Sequence, residues 1–99
     1  MKTSILFVCL GNICRSPLAH GIMQNLAPKD WVIDSAGTSG WHEGERPDTR
    51  SIITARKHGI DIDHQRSRPV VVEDFSKYDI IFAMDSSNYT NLLQLAPDQ

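Results

Sequence analysis

Residues 5–17 read Ile5-Leu6-Phe7-Val8-Cys9-Leu10-Gly11-Asn12-Ile13-Cys14-Arg15-Ser16-Pro17, and this stretch decides the fold. Ile5 to Val8 is an unbroken β-branched and aromatic run, the pattern of a strand buried on both faces. Ser16-Pro17 is a helix-start signal, with Ser as the N-cap and Pro at the first helical position. A buried strand feeding a helix through a short loop opens a βα unit. It predicts an α/β fold: an open parallel sheet with flanking helices and an anion-binding loop after strand 1.

The rest of the chain continues that pattern. The first helix carries Leu18, Ile22, Met23 and Leu26 as its expected apolar stripe, and Pro28 lies past its end. Trp31 to Ile33 reads as a second strand running into Asp34-Ser35-Ala36-Gly37-Thr38. Residues 39–47 read as loop, and Asp48 caps a helix that Gly59 ends, with His58 at its C-terminus. Residues 61–70 read as loop, Val70 to Val72 has no clear assignment, and Glu73 to Phe75 looks like one helical turn. Tyr78 to Met84 is the third strand. Asp85 to Leu95 is the next helix, offering Leu92, Leu93 and Leu95 for burial. Three strands are few for this fold class. Residues 1–99 are therefore expected to form a single domain that is incomplete at its C-terminus.

Composition bounds the function. The 99 residues are 40% hydrophobic and 22% charged, as in an ordinary globular domain. The formal charge of −2 gives no bulk attraction to nucleic acid or an anionic membrane, so any anion site must be local. The apolar stretch near the N-terminus is too short to span a bilayer and lacks a signal-peptide cleavage site. Cys9 and Cys14 close too small a loop to act as a staple. A Cys-x4-Cys spacing with no nearby His pair falls short of the roughly four ligands of a zinc site. What remains is thiol chemistry in a reducing compartment, so a cytoplasmic protein without metal or cofactor is expected. The sequence leaves the oligomeric state open.

The loop between strand and helix has the parts of a phosphate site. A helix N-terminus presents free N–H groups and partial positive charge. Gly11 has no side chain to obstruct an anion, and Asn12 tolerates positive φ. Consecutive amides can form a nest, and Arg15 adds a planar fork that matches phosphate. Cys9 stands at the mouth of this field, which favours its thiolate, and a thiolate facing phosphorus can attack it.

Cys9-x5-Arg15-Ser16, in the form Val8-Cys9-Leu10-Gly11-Asn12-Ile13-Cys14-Arg15-Ser16-Pro17, resembles the phosphate loop of the low-molecular-weight protein tyrosine phosphatases. Asp34 to Thr38, His58-Gly59-Ile60 and Ala83-Met84-Asp85 follow in the family's order. The resemblance implies hydrolysis of phosphotyrosine in protein substrates, and of small aryl phosphates, through a phosphocysteine. By it, Cys9 is the nucleophile and Arg15 holds the phosphoryl group. The amides of Leu10, Gly11, Asn12, Ile13, Cys14, Arg15 and Ser16 bind its oxygens, and Ser16 serves the Cys9 sulfur. Asn12 shapes the loop with Ser35 and His64 as supports. Trp41 walls the aromatic slot, and Tyr89 is a candidate for its rim. The family's general acid is an Asp in an Asp-Pro-Tyr-like loop, and no Asp-Pro pair occurs here. Asp98, which follows Pro97 near the end of the sequence, and Asp85 are not given that role.

Two other functions fit the loop. One is arsenate reduction on the same fold, against which stands the absence of cysteines after Cys14. The other is a phosphate-binding module without turnover. Plainer readings apply elsewhere: Cys14 as a packing thiol or a resolving thiol, Trp41 as a packing residue, His20 and His42 as surface residues, and the acids of residues 43–48 as solvated loop.

Overall fold

The computed structural model describes residues 3–97. Strand β1 (Ser4–Cys9) is central, paired in parallel with β2 (Val32–Gly37) on one side and β3 (Ile80–Ala83) on the other. Helix α1 (Arg15–Leu26) connects β1 to β2. Helices α2 (Thr49–Lys57) and α3 (Asp74–Lys77) lie between β2 and β3, and α4 (Ser86–Leu95) follows β3. The open parallel α/β sheet read from residues 5–17 is the sheet observed.

The period of two along β1 divides the core. Ile5 and Phe7 face α1, where Ala19, Met23 and Ala27 pack on them. Phe82 of β3 extends this layer by stacking on Phe7 at 5.5 Å between ring centroids. Leu6 and Val8 face the other way, into a cluster with Ala36, Tyr78 and Leu92. Ile52 and Ala55 of α2 close on Ile62 and Leu18, joining α2 to α1. β1 is therefore covered on both faces, as its unbroken apolar run requires.

Several expectations are corrected. Helix α1 begins at Arg15, one residue before the expected N-cap, and the residue at its N-cap position, Cys14, makes no capping bond. Its fully buried residues are Ser16, Pro17, His20 and Gly21, while of the expected apolar stripe Leu18 and Met23 are partly buried against the core. Ile22 and Leu26 point outward, at 44% and 74% exposure. Small residues on the inner face let the helix lie close to its neighbours. A Cβ placed on Gly21 would sit 2.5 Å from Ile62 Cγ2. His20, read as a surface residue, is buried. β2 is longer and β3 shorter than expected, and on α4 only Leu92 of the three leucines is buried. Asp48 does cap α2, accepting from the Arg50 N–H at 3.1 Å, and Gly59 follows the helix end at φ +76°.

This layout fixes where a site can be. The chain leaves β1 toward β2 through α1, and reaches β3 on the opposite side. The C-terminal end of β1 is thus where the strand order reverses, and in open α/β sheets ligands bind there.

Candidate functional site

The loop of residues 10–14 is shaped by what holds its carbonyls. The Cys9 carbonyl accepts from the Thr38 N–H at 2.9 Å and the Leu10 carbonyl from the Ser39 N–H at 3.0 Å. The Gly11 carbonyl accepts from Ser67 Oγ at 2.8 Å and the Ile13 carbonyl from the Asp48 N–H at 2.6 Å. The chain after β2 and the segment around Ser67 therefore draw these four carbonyls to the outside. Among the described residues, no backbone N–H from Leu10 to Cys14 has a protein acceptor. With its carbonyls committed outward, the loop has its N–H groups for an anion, continuous with the uncapped first turn of α1. Asn12 makes the turn at φ +58°, the one non-glycine residue at positive φ among those described.

Cys9 ends β1 beneath this loop. Its sulfur lies 2.9 Å from Ser16 Oγ, and Asn12 Nδ2 donates to the same hydroxyl at 2.8 Å. Asn12 Oδ1 accepts from the Arg68 N–H at 3.1 Å. Cys9, Asn12 and Ser16 are all buried, so this chain of contacts is shielded from water. Arg15, exposed at the start of α1, donates from Nη2 to Asp85 Oδ2 at 2.9 Å. Asp85 also caps α4, its Oδ1 accepting from the Asn88 N–H at 2.8 Å. That N–H bond first, and the Arg15 guanidinium second, hold the Asp85 carboxyl below its ordinary value. Burial, and then the Asp48 carboxylate, push the Cys14 thiol up.

The pocket over the loop encloses about 330 Å³ and is lined by Cys9, Leu10, Gly11, Ile13, Cys14, Arg15, Trp41 and His42. Leu10, Ile13 and Trp41 give it apolar walls beside Cys9 and Arg15, a lining that suits a flat ring carrying an anion. A Cβ on Gly11 would lie 2.9 Å from His42 Cδ2, so the imidazole packs directly on the loop. His42 Nδ1 lies 3.1 Å from Glu45 Oε2.

The structure brings together Cys9, residues 10–16 and Trp41, and separates the others. The Asn12 amide bonds Ser16 and Arg68 rather than Ser35 or His64, because the segment of residues 67–69 runs beside Gly37 and presents its own peptide first. Ser35 Oγ pairs instead with His20 Nδ1 at 3.0 Å, and His64 is exposed. Tyr89 is not among the residues that line the pocket over the loop. One turn into α4, it lines an apolar cavity of about 210 Å³ with Phe75, Ile81 and Leu92. Asp98 lies outside the described residues. His42, Ser67 and Arg68 were not legible as site residues. Position beside Trp41 was the only signal for His42, and an arginine in a 61–70 loop carries none. Among the described residues, no group of three or more His, Cys, Asp or Glu is placed to hold a metal ion. No helix among them is long and apolar enough to cross a membrane.

Comparison with known proteins agrees with this geometry. The family model described as low molecular weight phosphotyrosine protein phosphatase matches residues 4–99. The low molecular weight phosphotyrosine protein phosphatase 2 of Drosophila melanogaster is 41% identical over 97% of this chain and 61% of its own length. The corresponding protein of Schizosaccharomyces pombe is 46% identical over 94% of this chain and 63% of its own. A crystal structure of a protein tyrosine phosphatase from Entamoeba histolytica superposes with a TM-score of 0.90 at 44% identity, covering 98% of this chain and 65% of that one. The chain thus spans somewhat under two thirds of the length of these relatives. An amide-lined loop closing Cys9 against Ser16, on a sheet matched end to end by relatives that carry the name, has one reading: the chain belongs to the low molecular weight phosphotyrosine protein phosphatase family.

Proposed function

We propose that this protein hydrolyses phosphotyrosine in protein substrates, and small aryl phosphates, through a phosphocysteine at Cys9. The observation that carries the reading is the loop with its carbonyls bonded outward above a buried thiol. The N–H groups of residues 10–16 and the Arg15 fork hold the three non-bridging oxygens, where negative charge gathers in the transition state. The Cys9 thiolate attacks phosphorus, the bond to the aryl oxygen breaks, and the aryl oxide departs with the electron pair. Water then attacks phosphorus and the S–P bond breaks. Phosphate leaves with one proton of that water going to solvent, and the Cys9 thiolate returns, stabilised by Ser16. Trp41, Leu10 and Ile13 flank the ring, and a phosphoserine is too short to bring its phosphorus past them.

Asp85 is a poor candidate for the acid that protonates the leaving oxygen, since its carboxyl is held ionised by Asn88 and Arg15. None of the described residues lining the pocket is a carboxylate. Arsenate reduction is not favoured: the relatives are named phosphatases. Residues 1–99 are read as one domain organised around β1, and two free thiols suit a cytoplasmic setting.

The test compares turnover of a phosphotyrosine peptide, a nitrophenyl phosphate and a phosphoserine peptide by the protein and by Cys9→Ser. The expected result is turnover of both aryl esters only, lost in Cys9→Ser, while vanadate still raises the thermal midpoint. A Cys9→Ser protein of unchanged activity refutes the reading.

A further inference from the structure

The contact between Cys9 and Ser16 has a direction, and the direction is set from outside the loop. Ser16 Oγ carries one hydrogen. Asn12 Nδ2 donates to that oxygen, so the hydroxyl hydrogen is left for the Cys9 sulfur 2.9 Å away. Were the Asn12 amide reversed, its oxygen would face Ser16 and take that hydrogen, and the sulfur would lose its donor. What forbids the reversal is the Arg68 N–H at 3.1 Å, which needs an acceptor and finds Asn12 Oδ1.

The Arg68 peptide is held in place by its own side chain. Nη1 and Nη2 donate to the two carboxylate oxygens of Asp74 at 2.9 and 3.1 Å, a bidentate pair with a buried acid. Nε and Nη2 donate to Asp34 Oδ2 at 3.3 and 3.2 Å. The guanidinium thus ties β2 to α3. Its carbonyl accepts from the Gly37 N–H at 2.8 Å, pinning the same residue to the end of β2. Both carboxylates act to keep the guanidinium charged, against its burial. Arg68 does not itself line the pocket, and it reaches the loop through its backbone N–H on Asn12.

We propose that Arg68 is a positioning residue for the nucleophile. Its clamp on Asp34 and Asp74 fixes its backbone N–H against Asn12 Oδ1, which orients the Asn12 amide and commits Ser16 as donor to the Cys9 sulfur. The proposal rests on the phosphatase reading for its consequence in turnover, but its immediate effect is on the reactivity of a thiol.

The experiment follows iodoacetamide alkylation of Cys9 by peptide mass spectrometry in the protein, in Arg68→Lys, in Asn12→Ala and in the double variant. Lysine keeps the charge but cannot grip two carboxylates at once. In Arg68→Lys the alkylation rate at about pH 6 is expected to fall roughly tenfold. At about pH 10, where thiols are ionised regardless, it should stay within about twofold. A merely structural loss would lower the thermal midpoint or raise thiol exposure at both pH values alike. In the Asn12→Ala background Arg68→Lys should have no further effect at pH 6, because the path runs through that amide. Additive effects, or an unchanged pH 6 rate in folded Arg68→Lys, overturn the proposal. Should Arg68→Lys not fold, Asp34→Asn, which loosens the half-exposed arm of the clamp, takes its place with the same expectations. Turnover of nitrophenyl phosphate separates the two readings. A shifted thiol with no Cys9-dependent turnover in the parent protein would sink the phosphatase function and leave Arg68 its role. Normal turnover with an unmoved thiol would do the reverse.

Discussion

Arg15 Nη2 and Asp85 Oδ2 are 2.9 Å apart, so the residue that opens α1 is tied to the residue that caps α4. The two helices start from adjacent strands, β1 and β3, and the ion pair crosses the gap between their C-terminal ends. Arg15, which lines the pocket, is thereby held at one end. Because the pair is exposed, its value lies in orientation, since such pairs add little to stability.

The two tasks of Asp85 separate by substitution. Asparagine caps a helix as well as aspartate does. Asp85→Asn should therefore keep the thermal midpoint while lowering kcat on aryl phosphates by up to about a hundredfold, the scale of a misplaced catalytic group. Asp85→Ala should lose both activity and thermal stability. Equal loss of stability in the two variants, measured by thermal unfolding, would show that the ion pair rather than the cap holds α4.

Gly21→Ala tests why a glycine sits in the middle of α1. Alanine is the better helix former by about 1 kcal/mol. The added methyl would meet Ile62 Cγ2 at 2.5 Å and Ile60 Cγ2 at 3.1 Å, and overpacking costs about 1–3 kcal/mol. The expected result is a lower denaturant midpoint. In an Ile62→Ala background the same substitution should turn neutral or stabilising. A stabilising Gly21→Ala on its own would mean that α1 shifts freely on its neighbours.

His20 makes stability depend on pH in a stated direction. Burial, the first cause, lowers its pKa from 6.5, against a smaller opposing effect of Asp34. A base whose folded pKa is depressed binds protons more readily when unfolded. Its contribution is complete above pH 6.5 and is lost as pH falls toward the folded value. The thermal midpoint should decline through that window, and His20→Gln should flatten the decline. An unchanged slope in His20→Gln would assign the pH dependence to another group.

Cys14 should be the slow thiol. With burial and Asp48 raising its pKa, it is protonated at neutral pH. Its alkylation at pH 7 should lag that of a free cysteine, and Asp48→Asn, which retains a cap for α2, should speed it. A Cys14 that reacts at the free rate would argue that it opens readily to solvent.

The sequence alone determined the β1–loop–α1 unit, the parallel sheet, and Cys9, Arg15 and the loop between them. These are local facts. A β-branched run, a helix start and a Cys-x5-Arg spacing are written within residues 5–17, and the amides of a loop belong to the residues that form it. Leu18 and Met23 of the α1 stripe pack inward as expected, but Ile22 and Leu26 face out, because Gly21 and His20 take the buried places against Ile62 and Ser35, which lie far along the chain. Tyr89, expected at the rim, lies beside Phe75, Ile81 and Leu92, neighbours that only the packing of α4 on α3 and β3 brings to it. Tertiary structure also decided what turns the loop's carbonyls outward, since Thr38, Ser39, Asp48 and Ser67 reach them only once β2 lies beside β1. The same holds for Arg68, whose N–H meets Asn12 across 56 positions of sequence. Short-range patterning names the groups that can react. Which of them a neighbour orients is fixed by contacts that exist only after the chain has closed on itself.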